Sequence, residues 1–247
     1  MTTYSLGAFF HGLPDALVAG KAMRLLARLM AALALIATFA TTASAHSLDE
    51  VEAMIGGTEK YFQPIDKPAP DFTLRTADGG AVRLADLRGK VIILHFIYTS
   101  CPDVCPLHAE KIAEVQKLVN DTPMKDRVTF VTVTTDPSND TAEVMRAYGP
   151  AHGLDPANWL FLTTTADEPE DTTRKLAESF GHKFAKTDDG YQMHGIVTHV
   201  IDQDGNWTAN LHGLKFDPVN LVTFVNALTN GTTRPHEHGK DNWWEPF

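Results

Sequence analysis

Residues 91–106 read VIILHFIYTSCPDVCP, an apolar run that leads into a short loop holding both cysteines of the 247-residue chain. The run from Val91 to Tyr98 lacks polar alternation, which is typical of a strand buried on both faces of a sheet. A helix is predicted from Val104 to Val119, because apolar residues recur there at helical spacing. Cys101 and Cys105 therefore lie at a helix N-terminus, where they would act together as a disulfide, a dithiol or a pair of soft metal ligands.

The remainder of the chain alternates predicted strands and helices. Further strands are expected at Val128–Thr134, Trp159–Leu162, Gly195–Ile201 and Asn206–Leu211. Further helices are expected from Asp140 to the Gly149-Pro150 boundary, at Asp171–Phe180 and at Asp217–Leu228. Short strands at Phe72–Arg75 and Ala81–Leu84 flank Asp78-Gly79-Gly80, a hairpin signal. This order predicts an α/β, thioredoxin-like fold: a central mixed β-sheet flanked by helices, with an N-terminal β-hairpin.

The N-terminal region has the pattern of an export signal. Basic residues precede an apolar run from Leu29 to Ala40, and Ala43-Ser44-Ala45 provides the small residues after which signal peptidase cuts. The run is shorter than the roughly 20 residues that a membrane-spanning helix needs. We expect cleavage after Ala45 and a periplasmic protein, attached to the membrane only if the segment is retained. Met23 would begin a more ordinary signal than Met1.

Four segments are expected from this pattern: a signal peptide at 1–45, a lead-in at 46–67, one domain at 68–230 and a flexible tail at 231–247. The formal charge of −10 excludes a generally basic surface for nucleic acid. In an exported protein a lone cysteine pair would ordinarily be a structural disulfide, and any other role has to be weighed against that alternative.

A metal site built on two thiolates needs a third ligand, and imidazole is the usual partner. His194 directly precedes the predicted strand Gly195–Ile201 and would lie near the cysteine loop if that strand neighbours the central one. His199 lies five residues further on and points to the opposite face. Ordinary positions account for other histidines: His95 in the core, His108 on an exposed helix face, and His152, His182 and His212 in solvent.

Three motifs in order resemble the Sco/SenC copper chaperones. They are Cys-Pro-Asp-Val-Cys-Pro after a buried strand, Val133-Thr134-Thr135-Asp136-Pro137 leading to Asp140-Thr141, and a histidine eleven residues before Gly205. The resemblance runs from about Pro68 to Leu228. It implies a thioredoxin-like domain that binds one copper ion per chain through Cys101, Cys105 and His194, for assembly of the dinuclear copper centre of cytochrome c oxidase.

The ligand types themselves favour copper, because two thiolates and an imidazole suit Cu(I), while Cu(II) can also be held. The implied recipient is subunit II of cytochrome c oxidase or another cuproprotein, with a copper donor protein and a thiol reductase as further partners. We expect the ion in an exposed site at the edge of the domain. Family members carry Asp-His followed by Ser or Thr, whereas this chain reads Met193-His194-Gly195, so a carboxylate that could orient the histidine is missing.

The main alternative is a specialised thiol–disulfide reductase that uses Cys101 and Cys105 to reduce the cysteines of the target copper site. Oxidoreductases of this fold carry a cis-proline facing the redox pair, and no proline occurs between Pro169 and Pro218. The sequence therefore favours a metallochaperone that is not an enzyme, with disulfide reduction as the competing activity.

Overall fold

The structure is a computed structural model that describes residues 47–186, 192, 193 and 195–232. Its strands are β1 (Phe62–Pro68), β2 (Thr73–Thr76), β3 (Ala81–Arg83), β4 (Val91–Ile97), β5 (Val128–Thr134), β6 (Trp159–Thr163), β7 (Ala185–Lys186), β8 (Gln192–Met193), β9 (Val197–Ile201) and β10 (Asn206–His212). Its α-helices are α1 (Leu48–Gly56), α2 (Val104–Asn120), α3 (Ala142–Ala151), α4 (Thr172–Ser179) and α5 (Pro218–Thr229). Short 3₁₀ helices occur at Leu84–Leu87 and Pro123–Arg127.

Eight strands form one mixed sheet in the order β1-β10-β9-β4-β5-β6-β2-β3, and β7 pairs separately with β8. The central pairs β4–β5 and β5–β6 are parallel, and the connections between them contain α2 and α3, since parallel neighbours need a crossover. β9 runs antiparallel to β4 on its other side. The predicted α/β architecture is confirmed, and β2 and β3 pair as the predicted hairpin.

Two hydrophobic cores lie on opposite faces of this sheet. Alternate β4 side chains enter each of them: Val91, Ile93 and Ile97 pack with residues of α2 and α5, whereas Ile92, Leu94 and Phe96 pack with residues of α4. All seven residues of β4 and all seven of β5 are buried. Burial on both faces explains why these strands lack a polar alternation in the sequence.

The segment expected to be an extended lead-in contains a helix and an edge strand. Ser47 caps α1, because its side chain accepts a hydrogen bond from the Glu50 N–H, and the helix buries Leu48, Val51 and Ile55. β1 then pairs with β10 at one edge of the sheet, with a register irregularity between Pro64 and Lys67. An edge strand tolerates proline because one side of its backbone has no neighbouring strand.

Three sequence predictions fall wholly or partly on residues that the structure does not describe. These are the signal segment at 1–45, the metal ligand His194 and the tail beyond residue 232. Among the helices that are described, none combines the length and the apolar character needed to cross a membrane.

Candidate metal centre

The cysteine loop, residues 98–105, joins the end of β4 to the first turn of α2, as predicted. The Cys101 N–H donates to the Tyr98 carbonyl at 3.2 Å, and the Cys105 N–H donates to the Sγ of Cys101 at 3.4 Å. Both cysteines are free thiols, with exposed fractions of 7% for Cys101 and 4% for Cys105. The expectation of an exposed site is therefore wrong for these two side chains, because the loop folds them into the core on the α2 face of the sheet.

The two thiols differ in their tendency to ionise. Burial opposes ionisation of Cys101, but hydrogen bonds with the Cys105 thiol and with the backbone N–H groups of Asp103 and Cys105 outweigh it, so its pKa lies below the usual value. At Cys105 burial is the main cause of a strongly raised pKa, and the hydrogen bond with Cys101 raises it further. Cys101 is consequently the first of the pair to become a thiolate.

A buried carboxylate fixes the start of the cysteine loop. Asp140 is 2% exposed and accepts hydrogen bonds from the Thr99 N–H at 3.2 Å, from the Thr99 hydroxyl and from the Thr134 hydroxyl. The Thr135 N–H also donates to the Ile97 carbonyl at 2.8 Å. Asp140, the residue before the α3 cap, thereby joins the ends of β4 and β5. The sequence pattern predicts Asp140 at the opening of a helix, whereas the residue that caps α3 is Thr141.

Helix α3 also supports the second cysteine. The Tyr148 hydroxyl donates to the carbonyl of Cys105 at 3.3 Å, and burial is the main cause of the raised pKa of this phenol. A protonated phenol is the form that can donate this hydrogen bond. The first turn of α2 is therefore held from its backbone as well as by its packing against the sheet.

Among the described residues, two buried histidines lie on the α2 face of the sheet. His95 is fully buried as predicted, and burial lowers its pKa from the usual 6.5 to about 3. His108 is 2% exposed, so the prediction of an exposed helical position is wrong. It lies one helical turn after Cys105 and therefore faces the sheet with it, where its Nε2 is 2.9 Å from the Thr198 Oγ1 of β9. The His95 and His108 ring centroids are 4.8 Å apart.

A second pair, His182 and His199, lies on the α4 face. His182 is 5% exposed, and the prediction of a solvated side chain is wrong because the ring packs against Phe96. The Trp207 indole determines which ring nitrogens of this pair carry protons. Its N–H can only donate, so the atom of the Asn210 amide that lies 2.8 Å from it is the oxygen Oδ1 and not the nitrogen. His199 then donates from Nδ1 to that oxygen at 2.7 Å, and its Nε2 accepts from the Nε2 of His182 at 2.9 Å.

Strand β9 lies beside β4, which is the condition for His194 to come near the cysteine loop. Thr198 pairs with His95 in an antiparallel register, so the chain enters β9 at the end of the sheet where β4 leads into the loop. Of the three predicted ligands, the structure describes Cys101 and Cys105, while His194 lies outside the described residues. Within the described ranges, no group of three His, Cys, Asp or Glu side chains is arranged to hold a metal ion.

Comparison with known families identifies the chain. A family model described as SCO1/SenC matches residues 63–229. The chain belongs to the SCO1/SenC family. The matched SCO1/SenC region contains the whole eight-stranded sheet except the first residue of β1. The resemblance drawn from the sequence motifs is therefore confirmed.

Individual SCO1/SenC relatives agree with this assignment. A SCO2-like protein of Rickettsia conorii is 25% identical over 181 residues, which are 72% of this chain and 85% of the relative. The solved structure of Bradyrhizobium japonicum ScoI with copper bound is 27% identical, with a TM-score of 0.54 over 65% of this chain and 99% of that one. BsSco, a member of the Sco family of cytochrome c oxidase assembly proteins, is 23% identical, with a TM-score of 0.59 over 68% and 96%, and shares the thioredoxin-like fold.

Proposed function

We propose that this protein is a copper chaperone that carries one copper ion on Cys101, Cys105 and His194 and delivers it to the dinuclear copper centre of cytochrome c oxidase. The observation that carries the proposal is the pair of free thiols at the N-terminus of α2, with the Cys105 N–H on the Cys101 Sγ. The copper-bound state of a solved relative in the same family supports copper as the ion. Subunit II of the oxidase is the proposed recipient, and the periplasm the proposed location.

The ligand chemistry favours copper over other metals. Two soft thiolates and an imidazole suit Cu(I), and an added water or surface group would extend the set for Cu(II). A structural zinc site would normally take four protein ligands. An iron–sulfur cluster would need more than the two cysteines that this chain contains.

The unequal thiols suggest an order of events. Cys101, with the lower pKa, provides the first thiolate, and Cys105 gives up its proton as the ion binds, because metal binding displaces protons from its ligands. Neutral His194 completes the set. A recipient with cysteines of its own then takes the ion by ligand exchange, one sulfur at a time. Oxidation of the pair to a disulfide removes both sulfur ligands, so copper loading requires the reduced protein.

The same asymmetry favours one alternative, reduction of the disulfide in the recipient's copper site. The Cys101 thiolate would attack that disulfide, form a mixed disulfide and release one recipient thiolate. Cys105 would then lose its proton and attack the Cys101 Sγ, releasing the second recipient thiolate and leaving a Cys101–Cys105 disulfide. A separate thiol reductase would have to supply two electrons and two protons to regenerate the dithiol.

A Cu(I) titration of the reduced full chain, read by native mass spectrometry, tests the proposal. We expect one ion per chain, and a loss of affinity of about 100-fold or more in Cys101→Ser, Cys105→Ser and His194→Ala. His212→Ala, which removes an exposed histidine, is the matched control and should bind normally. Undiminished binding in His194→Ala, or no binding by the parent, would contradict the proposal. Turnover of a protein disulfide that survives His194→Ala would support the reductase instead.

A further inference from the structure

The carboxylate of Asp140 is surrounded by hydrogen-bond donors. The Thr99 N–H lies 3.2 Å from Oδ1 and 3.3 Å from Oδ2, and the Thr99 hydroxyl bonds to Oδ1. The Thr134 hydroxyl bonds to Oδ2, and its own oxygen accepts the Asp136 N–H at 2.9 Å, so its single proton is directed at Asp140. An ionised carboxylate only accepts hydrogen bonds, and this donor set matches that form.

This carboxylate is connected to the thiol pair through the backbone. Thr99 lies two residues before Cys101, and the intervening turn is closed by the hydrogen bond from the Cys101 N–H to the Tyr98 carbonyl. A displacement of Thr99 therefore displaces the Sγ of Cys101. Since Asp140 holds both the N–H and the hydroxyl of Thr99, it restrains the position and the orientation of this residue.

The charge of Asp140 lies close to the thiol pair, because its carboxylate is hydrogen-bonded to Thr99, two residues before Cys101. With only 2% of Asp140 exposed, water screens this charge poorly, and a buried charge acts over several ångströms. An ion bound at the two sulfurs would experience the same field.

We propose that Asp140 is a positioning residue of the copper centre, which holds the Cys101 end of the loop through Thr99 and whose buried negative charge favours Cu(II) over Cu(I) at the sulfur pair. The inference rests on the proposed copper function. Its physical basis is that a fixed anion attracts a divalent ion more strongly than a monovalent one at the same position. The carboxylate thus sets the relative affinity for the two oxidation states.

Three variants separate the charge of Asp140 from its hydrogen bonds. Asp140→Asn removes the charge and keeps the shape of the side chain. Thr134→Val removes one donor and keeps the charge. Asp121→Asn removes an exposed carboxylate at the end of α2 and controls for net charge. If Asp140→Asn does not fold, the double variant with Thr134→Val and Asp140→Asn takes its place in the same test. The valine removes the hydroxyl that the new amide N–H₂ group would otherwise face.

The first readout is the ratio of Cu(II) to Cu(I) affinity, measured on the full chain by competition with a chelator for each ion. We expect the ratio to fall about tenfold in Asp140→Asn, accompanied by a shift of the thiolate-to-Cu(II) absorption band. The ratio should be unchanged in Asp121→Asn. In Thr134→Val the two affinities should fall together and leave the ratio near that of the parent. A parental ratio and band in folded Asp140→Asn would overturn the proposal.

The second readout needs no copper. Equilibration with glutathione follows the reaction of the Cys101–Cys105 disulfide with two glutathione thiols to give the protein dithiol and one glutathione disulfide. In Asp140→Asn we expect a severalfold shift toward the dithiol, because a nearby anion disfavours thiolate in the reduced pair. An equilibrium equal to that of the parent would count against the charge effect. If the parent binds no copper but this equilibrium shifts, the proposed function fails while the coupling of Asp140 to the thiols stands.

Discussion

The backbone N–H of Cys105 lies 3.4 Å from the Sγ of Cys101, so the first turn of α2 stabilises a thiolate on Cys101, three residues before the helix begins. The carbonyl of Cys105 meanwhile accepts the hydroxyl of Tyr148. Two cysteines separated by only three residues thus occupy different electrostatic environments. One thiol is prepared to ionise and the other is kept protonated.

Alkylation should distinguish these two thiols. We expect iodoacetamide at pH 7.5 to modify Cys101 first, because its pKa lies below the usual value while burial raises that of Cys105. Cys105→Ser, which retains Cys101, should react about tenfold faster than Cys101→Ser. Peptide mass spectrometry after short pulses measures both rates. Equal rates in the two variants would contradict the assigned asymmetry.

Acid should destabilise the protein through its buried histidines. Burial lowers the pKa of His95 to about 3, and burial followed by the charge of His182 lowers that of His199 well below its usual 6.5. Below pH 6.5 the unfolded chain binds protons at these positions and the folded chain does not, so the free energy of unfolding falls as pH decreases. Each histidine contributes at most about 1.4 kcal/mol per pH unit, which gives about 2.4 kcal/mol for both between pH 6 and pH 5.

Urea unfolding at pH 7, 6 and 5 measures this dependence. His95→Leu should remove about half of it, whereas His212→Ala, at an exposed position, should retain it. The pKa of Asp140, which burial raises from 3.8, acts in the opposite direction at more acidic pH. A free energy of unfolding that is constant from pH 7 to pH 5 would show that the two buried histidines take up protons without unfolding.

Asn210→Leu should destabilise the α4 face of the sheet. The substitution removes the oxygen that accepts the buried His199 Nδ1–H and also the Trp207 indole N–H. An unsatisfied buried donor costs about 1–3 kcal/mol, and we expect a loss of about 2 kcal/mol in the free energy of unfolding. Gln63→Leu is the control, because exposed Gln63 bonds to the same Asn210 through its amide at 3.2 Å. Urea unfolding should show the larger loss in Asn210→Leu, and equal losses would contradict the network.

Gly149→Ala should disrupt the contact between α3 and β6. A Cβ at this position would lie 2.2 Å from the Trp159 ring, whose indole N–H is held by the Thr132 hydroxyl at 2.9 Å. Overpacking of this kind costs about 1–3 kcal/mol. Gly56→Ala at the end of α1, where no atom lies within 4 Å of the new Cβ, should be neutral or stabilising by up to about 1 kcal/mol. Thermal unfolding of the two variants compares them, and similar midpoints would argue against the close contact.

The central strands could be predicted from the sequence because burial on both faces leaves a local signature. Residues 128–134 form β5 as predicted, and β4 ends one residue before the predicted Tyr98. β1 has no such signature: only two of its seven residues are partly buried, and it contains two prolines. Its pairing with β10 depends on residues about 140 positions away, which local patterns do not report.

The sequence predicts where the two sulfurs of the candidate site lie, but it says less about the residues that surround them. The strand before Cys101 and the helix after it follow from apolar spacing alone. The burial of His108 and His182 depends on how α2 and the chain after α4 pack on the sheet, and polar residues near helix ends are usually solvated. The contacts of Asp140 with Thr99 join residues 41 positions apart. In the sequence, this carboxylate is marked by its position at the opening of a predicted helix and by its place in the motif that starts at Val133 and leads to Asp140-Thr141.

The edge of the sheet formed by β1 affects whether copies of this chain can pair with one another. β1 carries Pro64, Lys67 and Pro68 together with a register irregularity, the features by which natural sheets resist the addition of another strand. Edge-to-edge polymerisation through β1 is therefore disfavoured whether the thiols are reduced, oxidised or metal-bound. Even at high concentration, the protein is therefore not expected to grow into fibrils at this edge.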